Sequence, residues 1–186
     1  LRDGWTHEQI RDEYLQFCDA ALATLGALQG EPLASTVIPL ADLGHYPMHQ
    51  LADAYAFDHY CHLRVDLLAP HGPIERDLPP ADGALVGPAV GWMLAGIPQM
   101  QPGLEQQLTG RIRLVLTGVG GGIWDIARDG DAIVVGVPEG DADVTVTSDA
   151  HDFVLWGTAR TSWRDASEVA GDDQVAATFL DALNIV

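Results

Sequence analysis

The chain has 186 residues, 47 % of them hydrophobic and 19 % charged, so it has ample material for a core and is no case for wholesale disorder. Its net charge is −18, its pI is about 4.3, and all nine basic residues are arginine. That balance argues against a nucleic-acid partner or an anionic membrane surface, both of which need a positive patch.

Residues 5–28, "WTHEQIRDEYLQFCDAALATLGAL", read as a first helix. Thr6 is the expected N-cap, and Glu8 and Glu13 suit the positive end of the helix dipole. Ile10, Tyr14, Phe17, Ala21, Leu25 and Leu28 recur at steps of three and four and predict a core-facing stripe. Gly30 and Pro32 end the helix. A connection with a short extended Val-Ile piece leads to a second helix over about 47–68, opened by Pro47. Its stripe would hold Leu51, Tyr55, Asp58, His62 and Val65. A Pro/Gly loop follows, then a third helix over about 85–100 with Val86, Val90, Trp92, Met93 and Ile97 apolar.

Past residue 110 the period changes to alternation. "RIRLVLTG" and three further short strands are separated by the turn signals Gly120–Gly122, Asp129-Gly130-Asp131 and Glu139-Gly140-Asp141. "DAHDFVLWGTA" predicts a short helix capped by Asp149, "SEVAGD" a fifth strand, and "DDQVAATFLDALNIV" a closing helix with Val175, Phe179 and Leu183 in line. The fold class is therefore mixed, helical over residues 1–105 and a small α+β unit over 106–186. Cys18 and Cys61 are too few for a secreted disulfide framework, and the N-terminal stretch lacks an apolar signal core, so a cytoplasmic location is expected. No apolar run approaches the ~20 residues of a membrane span.

The candidate chemistry centres on "AFDHYCHLRVDLL", residues 56–68. Asp58 and His62 stand at i and i+4, about 6 Å apart on a helix surface, a spacing that suits two ligands of one zinc ion. The same spacing also suits a plain Asp–His hydrogen bond. His45 and His49 are the nearest candidates for a third ligand, and Cys61 reads as a small buried hydrophobe. "GVGGGIW" lacks the Lys-Ser/Thr ending of a phosphate loop and precedes a strand, so it reads as a hairpin. Trp92, Trp124, Trp156 and Trp163 suit a core or pocket wall. Arg160 and Arg164 stand out among so few cations and could clamp a carboxylate.

Two stretches together carry a family resemblance. "YPMHQLADAYAFDHYCHLRVDLL" resembles a helix of the mycothiol-dependent maleylpyruvate isomerases, a branch of the DinB-like helical bundles. "GDADVTVTSDAHDFVLWGTARTSWRDASEVAGDDQVAATFLDAL" is similar to the sterol-carrier-like domain that members carry after the bundle. The resemblance implies zinc held by Asp58 and His62, where the family's usual acid is Glu, together with a His from an earlier helix. That early position is Tyr14 here, and the bundle would be incomplete at its start. It also implies a catalytic role for Arg160, mycothiol as co-substrate, and isomerisation of, or thiol transfer to, a small electrophile. The rival expectation is a non-catalytic binding or regulatory protein with a lost metal site and an apolar-ligand pocket. Dimerisation through the bundle is a third.

Overall fold

The computed structural model describes residues 2–185. Its first element is α1 (His7–Ala27), entered through a reciprocal box: the Gln9 amide donates to the Thr6 hydroxyl (3.2 Å) and the Thr6 amide donates to the Gln9 side chain (2.9 Å). The apolar stripe expected to face a core lies instead in solvent. No residue of α1 is buried, and Phe17 and Leu22 are 60 % and 68 % exposed. Periodicity shows that a face is apolar; it does not supply the surface that covers it. Most helical stability in proteins comes from packing an apolar face, and α1 buries none of its residues. A chain starting at residue 29 is therefore expected to melt within about 2 °C of the full chain by circular dichroism. A larger drop would mean that α1 supports the rest.

A small antiparallel hairpin follows, β1 (Val37–Pro39) with β2 (His45–Pro47), paired through Ile38 and Tyr46. Tyr46 is buried with its ring 4.4 Å from that of Trp92, and its hydroxyl donates to the Leu43 carbonyl (2.8 Å). Pro47 closes the strand and is at the same time the N-cap of the helical run that follows it. The single helix expected over 47–68 comes in three pieces: a 3-10 turn at Met48–Gln50, α2 (Leu51–His59), and a π-helical stretch at Tyr60–Asp66. α2 packs on α3 (Gly83–Gly96), which is capped by Asp82 accepting from the Ala84 amide (3.0 Å).

The observed faces correct the predicted stripe, and beyond residue 60 the winding is the reason. A π turn holds more residues than an α turn, so it rotates every later side chain relative to an ideal helix. The buried residues are Tyr60, Cys61 and Val65, with Phe57 packed against them, while Tyr55 is exposed. Asp58 and His62, expected on the core-facing stripe, are 59 % and 61 % exposed.

The second half is a five-stranded sheet in the order β5-β4-β3-β6-β7. The strands are β3 (Ile112–Thr117), β4 (Gly122–Asp129), β5 (Ala132–Gly136), β6 (Val144–Asp149) and β7 (Ser167–Gly171). All neighbours are antiparallel except β3 with β6. Alternation buries Ile112, Leu114 and Leu116 of β3 and Val144, Val146 and Ser148 of β6. Helices α4 (Ala150–Gly157), α5 (Trp163–Ala166) and α6 (Asp173–Leu180) complete this half. The expected closing helix stops at Leu180, and Leu183 and Ile185 are buried beyond it.

One buried cluster runs from Tyr60 and Val65 through α3 to Phe153, Phe179 and Ile185, so the core crosses from the helical half into the sheet half. Two glycines allow the close approach. A Cβ on Gly157 of α4 would collide with Met93 Cε of α3. Gly120, at φ +78°, brings the β3–β4 turn so near α3 that a Cβ there would lie 2.7 Å from the Gly87 nitrogen. The glycine-rich stretch is the hairpin expected from sequence, and its job is close packing.

Candidate functional site

Three of the residues singled out in the sequence, Asp58, His62 and Arg160, fall into one polar chain on the surface through Asp66. Arg160 donates to both oxygens of Asp66 (Nε to Oδ1 and Nη2 to Oδ2, each 2.7 Å). Asp66 Oδ2 also lies 2.8 Å from His62 Nδ1, and His62 Nε2 lies 3.6 Å from Asp58 Oδ1. The Arg160 fork holds the Asp66 carboxyl well below the usual carboxylate range, and the His62 contact works in the same direction. An ionised Asp66 has no proton to give, so His62 Nδ1 donates to it and Nε2 faces Asp58. The chain thus joins the π-helical stretch to the turn after α4.

Whether this arrangement suits zinc depends on the donor set. Asp58 and His62 are placed to share an ion, but Asp66 is committed to Arg160. A zinc site needs at least three protein ligands. Among the described residues no group of three or more His, Cys, Asp or Glu side chains is placed to hold a metal ion. His49 is engaged elsewhere, Nδ1 donating to the Ala34 carbonyl (2.8 Å), and His45 lies on the exposed hairpin. Cys61 is 1 % exposed, and burial pushes its thiol up to about 11, which suits a packing role. The described residues do not make a zinc site by themselves. Arg164, the other conspicuous cation, forms an ion pair with Asp181 (Nη2 to Oδ2 2.8 Å) and stacks on Trp163 at 4.3 Å.

The larger feature was not readable as a motif. A cavity of about 610 Å³ opens at the seam of the two halves. Tyr60, Arg64 and Val65 of the π-helical stretch form one wall, His71, Arg76 and Leu78 of the following loop a second. Val86 of α3, Val119 of the glycine turn, Asp149 and His151 close it. Tyr60 Oη and His151 Nδ1 are 2.7 Å apart, a bond across the seam between residues 91 apart in sequence. Burial raises the Tyr60 phenol above its ordinary range, so it keeps its proton, and the His151 tautomer sets the direction of the bond between them. The Arg64 guanidinium lies 5.9 Å from the Tyr60 ring centroid, and its Nη2 donates to the Pro79 carbonyl (2.6 Å). Asp149 caps α4 by accepting from the His151 amide (2.8 Å), which fixes the start of the helix that carries His151. A smaller hollow of about 320 Å³, lined by Leu43, Tyr55, Phe57, Trp92 and Met100, adjoins Asp58. No helix among the described residues is long and apolar enough to cross a membrane.

No family model matches the chain. No curated protein matches it either. Among solved structures it is similar to the sterol carrier protein domain 2 of Helicoverpa armigera, at 18 % identity over 42 % of this chain and 68 % of that one, with a TM-score of 0.36. It is also similar to the sterol carrier protein 2-like 2 of Aedes aegypti, at 19 % identity over 50 % and 92 % of the two chains, with a TM-score of 0.38. A UbiJ–SCP2 ubiquinone synthesis protein matches at 21 % identity over 57 % and 93 %, again with a TM-score of 0.38.

Proposed function

We propose that this protein is a small-molecule binding protein, with a sterol-carrier-like α+β half, whose ligand occupies the cavity at the seam. The observation that carries the reading is that cavity itself: about 610 Å³, with walls from both halves of the chain. Its volume lies within the range of ligand sites, and so does its mixture of apolar walls with a few convergent polar groups. Val65, Val86 and Val119 offer the apolar surface, and Tyr60 and His151 the polar handle. Titration with the uncharged fluorophore N-phenyl-1-naphthylamine tests it. One probe is expected to bind per chain with a blue shift, and Ala81→Trp, which fills the lining, is expected to abolish it. Binding that survives Ala81→Trp would place the probe elsewhere and end the reading.

A second reading, a mycothiol-dependent isomerase or thiol transferase acting on a small electrophile, draws its support from Asp58, His62 and the nearby Arg160. His62 Nε2 and Asp58 Oδ1, 3.6 Å apart, are spaced as two ligands of one ion would be. This reading requires a third ligand beyond the described residues. Elemental analysis of the purified protein separates the two. Zinc well below one per chain, unchanged by Asp58→Ala with His62→Ala, is expected. One zinc per chain, lost in that double variant, would overturn the expectation and call for mycothiol-dependent isomerisation assays.

A further inference from the structure

Arginine is the only fixed cation in this chain, and acids outnumber it by 27 to 9. Nearly every arginine has found one of those acids. Arg2, Arg11, Arg111, Arg113, Arg128, Arg160 and Arg164 each lie within 4.0 Å of a carboxylate oxygen. Arg64 and Arg76 form no such pair with any described residue, and both line the same cavity. Arg76 lies exposed at the rim of the hollow, on the loop after the π-helical stretch. Arg64 is half-buried and held by its bond to the Pro79 carbonyl, so its remaining N–H groups are positioned rather than free to wander.

The two acids of the lining, Asp77 and Asp149, form no ion pair with either arginine, although their charges reach the same cavity. Asp149 is spent on the cap of α4 and packs against Gly118, and Asp77 follows Arg76 in the loop without forming an ion pair with it. His71 and His151 add imidazole nitrogens to the same lining.

Resting on the cavity reading above, we infer that its ligand is an organic anion, with its charged end held by Arg64 and Arg76 and its apolar body against Val65, Val86 and Val119. The fork of an arginine matches a carboxylate or sulfonate in two parallel bonds, which gives orientation as well as attraction. Tyr60 and His151 then face the middle of the ligand, where a hydroxyl or carbonyl would meet them.

A matched pair of probes tests this. 8-Anilinonaphthalene-1-sulfonate carries the same aromatic body as N-phenyl-1-naphthylamine plus one anionic group. The sulfonate is expected to bind the whole protein more tightly than the neutral probe, in an Ala81→Trp-sensitive manner. Arg64→Gln and Arg76→Gln are each expected to weaken the sulfonate about tenfold, as loss of a charge-assisted contact does. Arg64→Lys is expected to restore most of that loss, and the neutral probe should shift less than twofold in every variant. Equal losses for the two probes, or none for the sulfonate, would overturn the anion inference and leave the cavity reading intact. Absence of cavity binding by either probe would overturn both.

Discussion

Truncation of Phe153 to alanine is expected to cost about 3–5 kcal/mol and to weaken both halves of the chain in one transition. Phe153 is fully buried on α4, its ring edge against Trp156 with centroids 4.9 Å apart at 78°. It also lies beside the contact of Gly157 with Met93, where α4 meets α3. The hole left by the ring would therefore open between the helical half and the sheet half, the place least able to collapse without moving both. A loss of this size is a large share of the ~5–15 kcal/mol that holds a typical domain folded. Phe153→Leu, which keeps most of the volume, is expected to cost less than about 1.5 kcal/mol. Urea unfolding followed by near-UV and far-UV circular dichroism checks this. Coincident curves shifted together support one shared core. Two separated transitions, with only one moved, would show halves that unfold independently.

The sheet half was legible for a physical reason: its strands alternate, and the turns carry residues that such turns require. Ile112, Leu114 and Leu116 announced one buried face, and Gly130 and Gly140 take positive φ in the turns where Asp-Gly and Glu-Gly stood. The helical half was less legible. Nothing in "YCHLRVD" signals π winding, which re-aims the side chains that follow Tyr60, His62 among them, while Asp58 is already exposed on α2 before it. The scarcity of basic residues makes each arginine conspicuous. Arg160 and Arg164 drew the eye, and both are matched by acids, Asp66 and Asp181. Arg64 and Arg76 line the cavity without such partners, which no local pattern distinguishes. The cavity gathers Tyr60, Arg76, Val119 and His151 from four separate elements, so only the fold could bring them together.

Replacement of Asp125 by asparagine is expected to cost about 3 kcal/mol at neutral pH, the scale for removing one partner of a buried ion pair. Asp125, on β4, is 4 % exposed. Its carboxylate accepts from Arg113 Nε (2.9 Å) and Nη2 (3.1 Å), from Arg111 Nη1 (3.3 Å) and from the Glu139 amide (2.8 Å). The same arginines reach on to the Glu139 and Gly140 carbonyls (2.8 and 2.9 Å), so one acid ties β3 and β4 to the turn before β6. The Arg113 guanidinium, first among several causes, holds the Asp125 carboxyl down at about 2. Its unfolded value is about 3.9, so the folded state prefers the ionised form. The resulting stabilisation, about 2 kcal/mol, is present in full above roughly pH 4 and is lost as the pH falls through about 2. Asp181, also held at about 2 by Arg164, contributes to the same acid window in either chain. Urea unfolding at pH 7, 4, 3 and 2 should therefore show wild type and Asp125→Asn converging as the pH drops. Parallel curves across that range would mean that the acid sensitivity arises elsewhere and that the Asp125 network is worth little.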